Sequence, residues 1–191
     1  MKNAQEKFSV GALLYTPALN PTIAQSVIQG RLGGPYSLAL CLEDTISDDL
    51  MAAAEGQVGK SLQALWTAAQ EQPLALPKLF LRVKAPEQVE RLFAAVKAYQ
   101  SILTGFIFPK YTVTNATAYN RALEAVNGQA AQPLVMMPIL ESPDIVDLPG
   151  RPERLQAIKA HIDDMGELVL NVRVGGNDFC NQFAARRHYD E

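Results

Sequence analysis

The stretch LFLRVKAPEQVERLFAAVKAYQSILTGFIFP, residues 79–109, decides the class of fold. It begins and ends with short apolar runs, residues 79–83 and 105–109, which are typical of parallel strands buried on both faces. Between them, Pro86 opens a segment whose apolar residues recur every three or four positions, and this spacing predicts a helix over residues 86–100. A strand, a helix and a second strand in this order form a βαβ unit, which indicates an α/β fold.

The same alternation extends over the rest of the chain. Further strands are predicted at residues 9–16, 36–42, 133–140 and 167–174. Further helices are predicted at residues 21–30, 48–70, 114–126 and 152–165, and a last one is indicated at 177–187. Asn20 is the expected N-cap of the first of these helices, and Gly128 is the expected C-terminal stop of the third. Since no repeat or low-complexity linker interrupts the series, we expect a single α/β domain over residues 1–191.

Two architectures fit six predicted strands. Strand starts recur every ~25–40 residues, the spacing of a (β/α)₈ TIM barrel, but such a barrel needs about 250 residues to close. A chain of 191 residues would then hold strands one to six of an incomplete barrel. An open doubly wound parallel sheet of six strands uses the same length. Periodicity alone does not separate the two.

Composition and charge exclude several classes of protein. With 48% hydrophobic and 19% charged residues, the chain is neither disordered nor fibrous. The formal charge is -3 without a basic cluster, so nucleic acid is not an expected partner. Cys41 and Cys180 lack partners at metal-ligand spacing, which favours a reducing, cytoplasmic location. The apolar run at residues 10–15 is too short to span a membrane or serve as a signal segment, so no membrane contact is expected.

Polar side chains interrupt or follow the predicted strands at their carboxyl ends. They are Glu43, Asp44, Arg82, Lys110, Glu141, Gly175, Gly176, Asn177 and Asp178. In a barrel and in an open sheet alike, these ends of the strands form the binding site. Glu141 and Asp178 are predicted to share one Mg²⁺ ion, because Mg²⁺ uses few carboxylates and leaves positions for water and substrate oxygens. Arg82 and Lys110 would then face an anionic substrate.

Each of these residues also has a structural interpretation. Asp44 and Asp178 could cap the helices that follow them. Arg82 interrupts an apolar strand and could form a structural ion pair with Glu43 or Asp44. Lys110 could be a solvated loop lysine. The two adjacent glycines could serve only a tight turn, or could present backbone N–H groups to an anion.

Five motifs occur in the order LALCLEDTI, LFLRVKAP, GFIFPKY, MPILESPDIV and RVGGNDF. Together they resemble the citrate lyase β-subunit and HpcH/HpaI-type aldolase family over nearly the whole chain, and RVGGNDF is similar to its tellurite-resistance-associated branch. The resemblance implies a metal-dependent TIM barrel that makes or cleaves carbon–carbon bonds next to a keto acid or an acyl thioester. The chain corresponds to the first three quarters of such a barrel. We therefore expect a piece of a longer protein or a homo-oligomer.

The resemblance also implies roles for the residues at the strand ends. Glu141 and Asp178 correspond to the ligands of Mg²⁺ or Mn²⁺. Arg82 corresponds to the arginine that binds the substrate and stabilises the enolate. Glu43 and Asp44 correspond to the acidic pair after strand two, with a catalytic role.

Three further residues are expected to hold the substrate: Lys110 by a supporting charge, and Gly175 and Gly176 by their backbone. Gly11 and Lys84 stand where the citrate lyase branch has an arginine and an asparagine. A CoA thioester is therefore left open beside a simple keto acid as the small-molecule partner. The alternative function is a non-catalytic, metabolite-binding subunit that retains the lyase fold.

Overall fold

A computed structural model describes residues 8–44 and 46–185 of the chain. It contains six parallel strands, and each strand pairs with the next one along the sequence. The strands are β1 Ala12–Pro17, β2 Tyr36–Cys41, β3 Lys78–Arg82, β4 Leu103–Phe108, β5 Val135–Leu140 and β6 Arg173–Val174. This consecutive order is that of a TIM barrel, whereas a doubly wound sheet reverses its strand order. The incomplete barrel is confirmed, and the open doubly wound sheet is excluded.

A helix follows every strand. The helices are α1 Ile23–Ile28, α2 Met51–Glu71, α3 Glu87–Val96, α4 Ala116–Asn127, α5 Arg151–Asp164 and α6 Gly176–Gln182. Gly128 caps the C-terminus of α4, as predicted. α1 begins two residues later than expected, because the Asn20 side chain accepts a hydrogen bond from the Thr22 N–H at 3.0 Å and holds the chain in a turn. Within the described residues, no helix combines the length and apolar character needed to cross a lipid bilayer.

The two outer strands differ most from the sequence prediction. β1 starts at Ala12 because Gly11 has a φ of +58°, a conformation that interrupts an extended strand. β6 has two residues where eight were predicted. The first part of that segment forms a 3₁₀ turn at Gly166–Leu168, and only an isolated bridge between Met136 and Val169 precedes β6. The helix predicted at 177–187 ends at Gln182, and positions 186 and 187 lie outside the described residues.

Side chains alternate between two apolar layers, and this alternation positions the site. The outer layer packs the sheet against the helices, and it includes Leu38, Leu40, Leu79, Leu81, Phe106 and Phe108. The inner layer fills the barrel interior, and it includes Ala39, Phe80, Ile107, Val135, Met137 and Ile139. Cys41 and Arg82, which are opposite each other in the β2–β3 register, are the next inward positions after Ala39 and Phe80. Arg82 is therefore an interior residue at the carboxyl end of the barrel.

Candidate active site

Arg82 lies at the centre of a cluster of carboxylates. Its Nη2 is 2.7 Å from Glu43 Oε2 and 3.4 Å from Glu141 Oε1, and its Nη1 is 3.0 Å from Asp44 Oδ2. Burial disfavours the charged guanidinium, but the charges of Glu43, Cys41 and Asp44 raise the pKa of Arg82 above its usual range. Nε of Arg82 is buried and has no hydrogen-bond partner among the described residues.

Lys110 connects the carboxylates that follow β2 and β5. Its Nζ is 2.5 Å from Glu43 Oε1, and its backbone N–H donates to Glu141 Oε1 at 3.1 Å. The residue has a φ of +48°, and the Asn115 side chain donates to its carbonyl at 2.9 Å, which stabilises the turn. The hydrogen bond to Glu43 raises the pKa of the Lys110 amine. Lys110 therefore stays charged and orients two carboxylates at once.

Glu43 and Asp44 are neighbours in sequence, and their pKa values are shifted in opposite directions. Burial, together with a hydrogen bond to Asp44, raises the pKa of Glu43. Burial also acts to raise the pKa of Asp44, but the hydrogen bond from Glu43 and the charge of Arg82 outweigh it and lower that pKa. Glu43 is buried, whereas the Asp44 side chain is 50% exposed. A proton held by the pair therefore resides on Glu43, and Asp44 presents the ionised carboxylate to the cavity.

Glu141 follows β5 and is buried against Gly175. A Cβ on Gly175 would lie 2.0 Å from Glu141 Oε2, so only glycine fits beside this carboxylate. The Gly175 N–H donates to the Leu140 carbonyl at 3.2 Å, which places the amide in the sheet. Burial, and to a lesser degree the nearby charge of Asp178, raise the pKa of Glu141. Glu141 and Asp178 are thus close enough to interact, and Gly175 allows their approach.

A cavity of about 380 Å³ opens at this end of the barrel. Seven of the predicted residues line it: Asp44, Arg82, Glu141, Gly175, Gly176, Asn177 and Asp178. Glu43 and Lys110 are not part of its lining and lie behind Arg82 and Asp44. The structure thus brings all the predicted residues to one end of the barrel. Most of them line the cavity, and Glu43 and Lys110 contact the residues that line it.

Among the lining residues that sequence reasoning missed, Tyr15 on β1 and Arg173 on β6 have long polar side chains. The Tyr15 ring centroid is 5.6 Å from the Arg82 guanidinium, within the range of a cation–π contact. Arg173 interrupts a largely apolar run, as Arg82 does, and this signal could have identified it. Tyr15 is an ordinary strand residue, and nothing in the sequence distinguishes it.

The carboxylate oxygens of the site could serve as ligands of a divalent cation. Within the described part of the chain, no group of three or more His, Cys, Asp or Glu side chains is placed to hold a metal. Mg²⁺ needs only one or two carboxylates when water and substrate complete its shell. Glu141 and Asp178 supply two, and Glu141 Oε1 already accepts from Lys110 and Arg82, which leaves Oε2. Four carboxylates face three cations, because Arg173 also lines the cavity, so the excess is at most one negative charge.

Comparison with known proteins identifies a family for this chain. The model of a family described as C–C bond lyases of the TIM-barrel fold matches residues 4–191. A solved structure of a mandelate racemase/muconate lactonizing enzyme from Jannaschia sp. CCS1 is 12% identical, with a TM-score of 0.40. The alignment covers 86% of this chain and 55% of that one, so the chain spans about half its length. No curated protein matches the sequence.

Proposed function

We propose that this chain, which belongs to the C–C bond lyase family of the TIM-barrel fold, cleaves the bond between C3 and C4 of a 4-hydroxy-2-keto acid with the help of Mg²⁺ or Mn²⁺. The observation that carries the proposal is that Arg82, Glu141 and Asp178 line one cavity at the carboxyl ends of the strands. A related acyl thioester is the second substrate class compatible with the family. Within the family, we propose an activity like that of the citrate lyase β-subunit or of an HpcH/HpaI-type aldolase.

Glu141 and Asp178 are the residues that would hold the cation. A bound divalent ion would supply positive charge to the carboxylate and carbonyl oxygens of a keto acid. Arg82 is held in a fixed orientation by Glu43 and Asp44, and it lines the cavity. A preorganised donor of this kind stabilises the negative charge that develops on the carbonyl oxygen when the carbon–carbon bond breaks.

Asp44 is the residue that would move the proton. Its side chain is half-exposed and lines the cavity, and the charge of Arg82 helps to keep it ionised. An ionised carboxylate can accept the proton of a substrate hydroxyl as the bond breaks. Glu43 and Lys110 act through Asp44 and Arg82, and they are positioning residues in this proposal.

The test is an assay of keto-acid cleavage. Wild-type protein with Mn²⁺ or Mg²⁺ should release pyruvate from 4-hydroxy-2-keto acids, and EDTA should abolish the release. Glu141→Gln should lower the rate by at least about a hundredfold, since ligand loss weakens both metal binding and the reaction. Glu153→Gln, on the exposed face of α5, is the matched control and should retain the wild-type rate. Metal-independent release, or equal rates in both variants, would refute the proposed chemistry.

A non-catalytic metabolite-binding subunit is the second candidate. One observation favours it: both Nη groups of Arg82 are already in contact with carboxylates, as in a structural ion pair. Binding of Mn²⁺ and pyruvate without turnover of any tested keto acid would support this candidate over a lyase.

A further inference from the structure

The two outer strands each place a polar side chain inside the barrel. Tyr15 on β1 is in register with Ala39, and Arg173 on β6 is in register with Ile139. Both partners belong to the inner apolar layer, so Tyr15 and Arg173 face the interior as well. Both line the same cavity as Glu141. They therefore approach the cavity from the two strands that bound the opening of the sheet.

Arg173 differs from Arg82 in its charge environment. Arg82 contacts three carboxylates, whereas no carboxylate of the described residues lies within ion-pair distance of Arg173. The Tyr15 hydroxyl likewise has no hydrogen-bond partner in the described part of the chain. Tyr15 is 43% exposed and Arg173 is half-buried, so a ligand in the cavity can reach both. Of the two arginines that line the cavity, Arg173 is the one whose charge is uncompensated.

We propose that Arg173 and the Tyr15 hydroxyl form a second anion subsite. This subsite binds a second carboxylate of the substrate, remote from the carboxylate that the cation at Glu141 and Asp178 would hold. A guanidinium binds a carboxylate through two parallel hydrogen bonds, and a tyrosine hydroxyl can donate a third. The subsite selects substrates with two carboxylates over those with one. This inference rests on the proposed function for the position of the first carboxylate. The position of the second carboxylate depends on Tyr15 and Arg173 alone.

The test compares two stable acids that differ by one carboxylate. Malate and lactate share a 2-hydroxy acid group, and only malate has a second carboxylate. Both are titrated calorimetrically into the protein, with Mn²⁺ and without it. Wild-type protein should bind malate at least about tenfold more tightly than lactate, because only malate can form the bidentate ionic contact with Arg173. Arg173→Gln should remove this preference and change lactate affinity less than about twofold.

The controls separate the subsite from the metal site and from folding. Arg121→Gln, an exposed arginine on α4, should keep the preference for malate, and melting curves verify that each variant is folded. Arg173→Lys should restore part of the preference, and Tyr15→Phe should reduce it. If wild-type protein binds no Mn²⁺, the proposed function fails, and the subsite is then judged by malate binding in the absence of metal. Equal affinity for the two acids, or equal loss of both in Arg173→Gln, would overturn the subsite.

Discussion

Arg82 contacts more carboxylates than its single charge can neutralise. Glu43, Asp44 and Glu141 surround it, and Lys110 supplies the second cation that makes the cluster tolerable. The planar guanidinium reaches three acceptors from one strand position, which a lysine cannot do. The arginine was predictable as a site residue, because an arginine inside an apolar strand requires buried acceptors. Its three-way contact was not, because Glu141 is 59 residues away in sequence.

Arg82→Lys should therefore abolish cleavage while the protein remains folded. We expect the rate to fall at least about a thousandfold, since the point charge of lysine cannot reproduce the two oriented donors of the planar guanidinium. The free energy of unfolding should fall by about 1–3 kcal/mol, because the charge is kept. Arg91→Lys is the control, since its pair with Glu55 is at the surface and contributes about 1 kcal/mol at most. Parallel losses of rate and stability would instead identify Arg82 as a structural residue.

Gly175→Ala should displace Glu141. The new Cβ would lie 2.0 Å from Oε2 and 2.6 Å from Cβ of Glu141, and these distances require the carboxylate to move. Mn²⁺ affinity, measured by calorimetry, should fall at least about tenfold if Glu141 is a ligand. Gly176→Ala is the matched control, because nothing lies within 4 Å of a Cβ at that neighbouring position. Unchanged Mn²⁺ affinity in Gly175→Ala would exclude Glu141 as a ligand.

Glu141 should also make stability depend on pH. Burial raises its pKa in the folded state, so the folded protein retains this proton at a pH where the unfolded chain has lost it. The stabilisation is present below the unfolded pKa and is lost as pH rises through the folded pKa. Glu141→Gln mimics the protonated form, so without metal the variant should gain stability relative to wild type over the range above ~pH 4, where the unfolded carboxyl loses its proton. Urea unfolding in EDTA measures this, and a relative loss over the same range would contradict the shift.

Among the elements, β2 to β5 were predicted within a few residues, and β6 was not. The four central strands have neighbours on both sides and largely apolar residues, so sequence and pairing agree. β6 pairs only with β5, and its segment contains Gly166 at a φ of +50° and the polar Asn171. Its apolar run resembles a strand, but with β5 as its one neighbouring strand only two of its residues form backbone pairs. Arg173 interrupts this run as Arg82 interrupts β3, so the same signal was present for both arginines.

The contact between β4 and β5 depends on Gly105. A Cβ at this position would lie 1.9 Å from the Val135 carbonyl oxygen, and backbone cannot yield as a flexible side chain can. Gly105→Ala should therefore destabilise the protein by at least about 1–3 kcal/mol through overpacking. Gly59→Ala on α2 is the control, because its Cβ meets nothing within 4 Å and should stabilise the helix by about 0.5–1 kcal/mol. Chemical denaturation of both variants checks the pair, and similar effects would contradict the close approach.

For the molecule as a whole, consecutive strand order leaves two edges, β1 and β6. Neither edge has a second strand partner within residues 8–44 and 46–185. Leu14 on β1 is 39% exposed and Val174 on β6 is 67% exposed, and both lie on the face of the outer apolar layer, opposite the inward-facing Tyr15 and Arg173. Strand order could not be derived from periodicity, since barrels and doubly wound sheets share the same alternation. The edges, however, follow directly from a barrel of six strands.

Unpaired strand edges with apolar side chains favour pairing with another chain, so we expect this protein to associate with copies of itself at micromolar concentration. Leu14→Lys combined with Val174→Lys places a charge on each edge and should shift the population toward monomer, as measured by size-exclusion chromatography with light scattering. Leu148→Lys replaces a residue that is 71% exposed but lies outside the strands, and it should leave the association unchanged. A wild-type monomer, or equal dissociation by both variants, would show that the edges do not drive assembly. Since Tyr15 is on one of these edge strands and Arg173 on the other, an assembly that pairs the edges would also enclose the cavity between them.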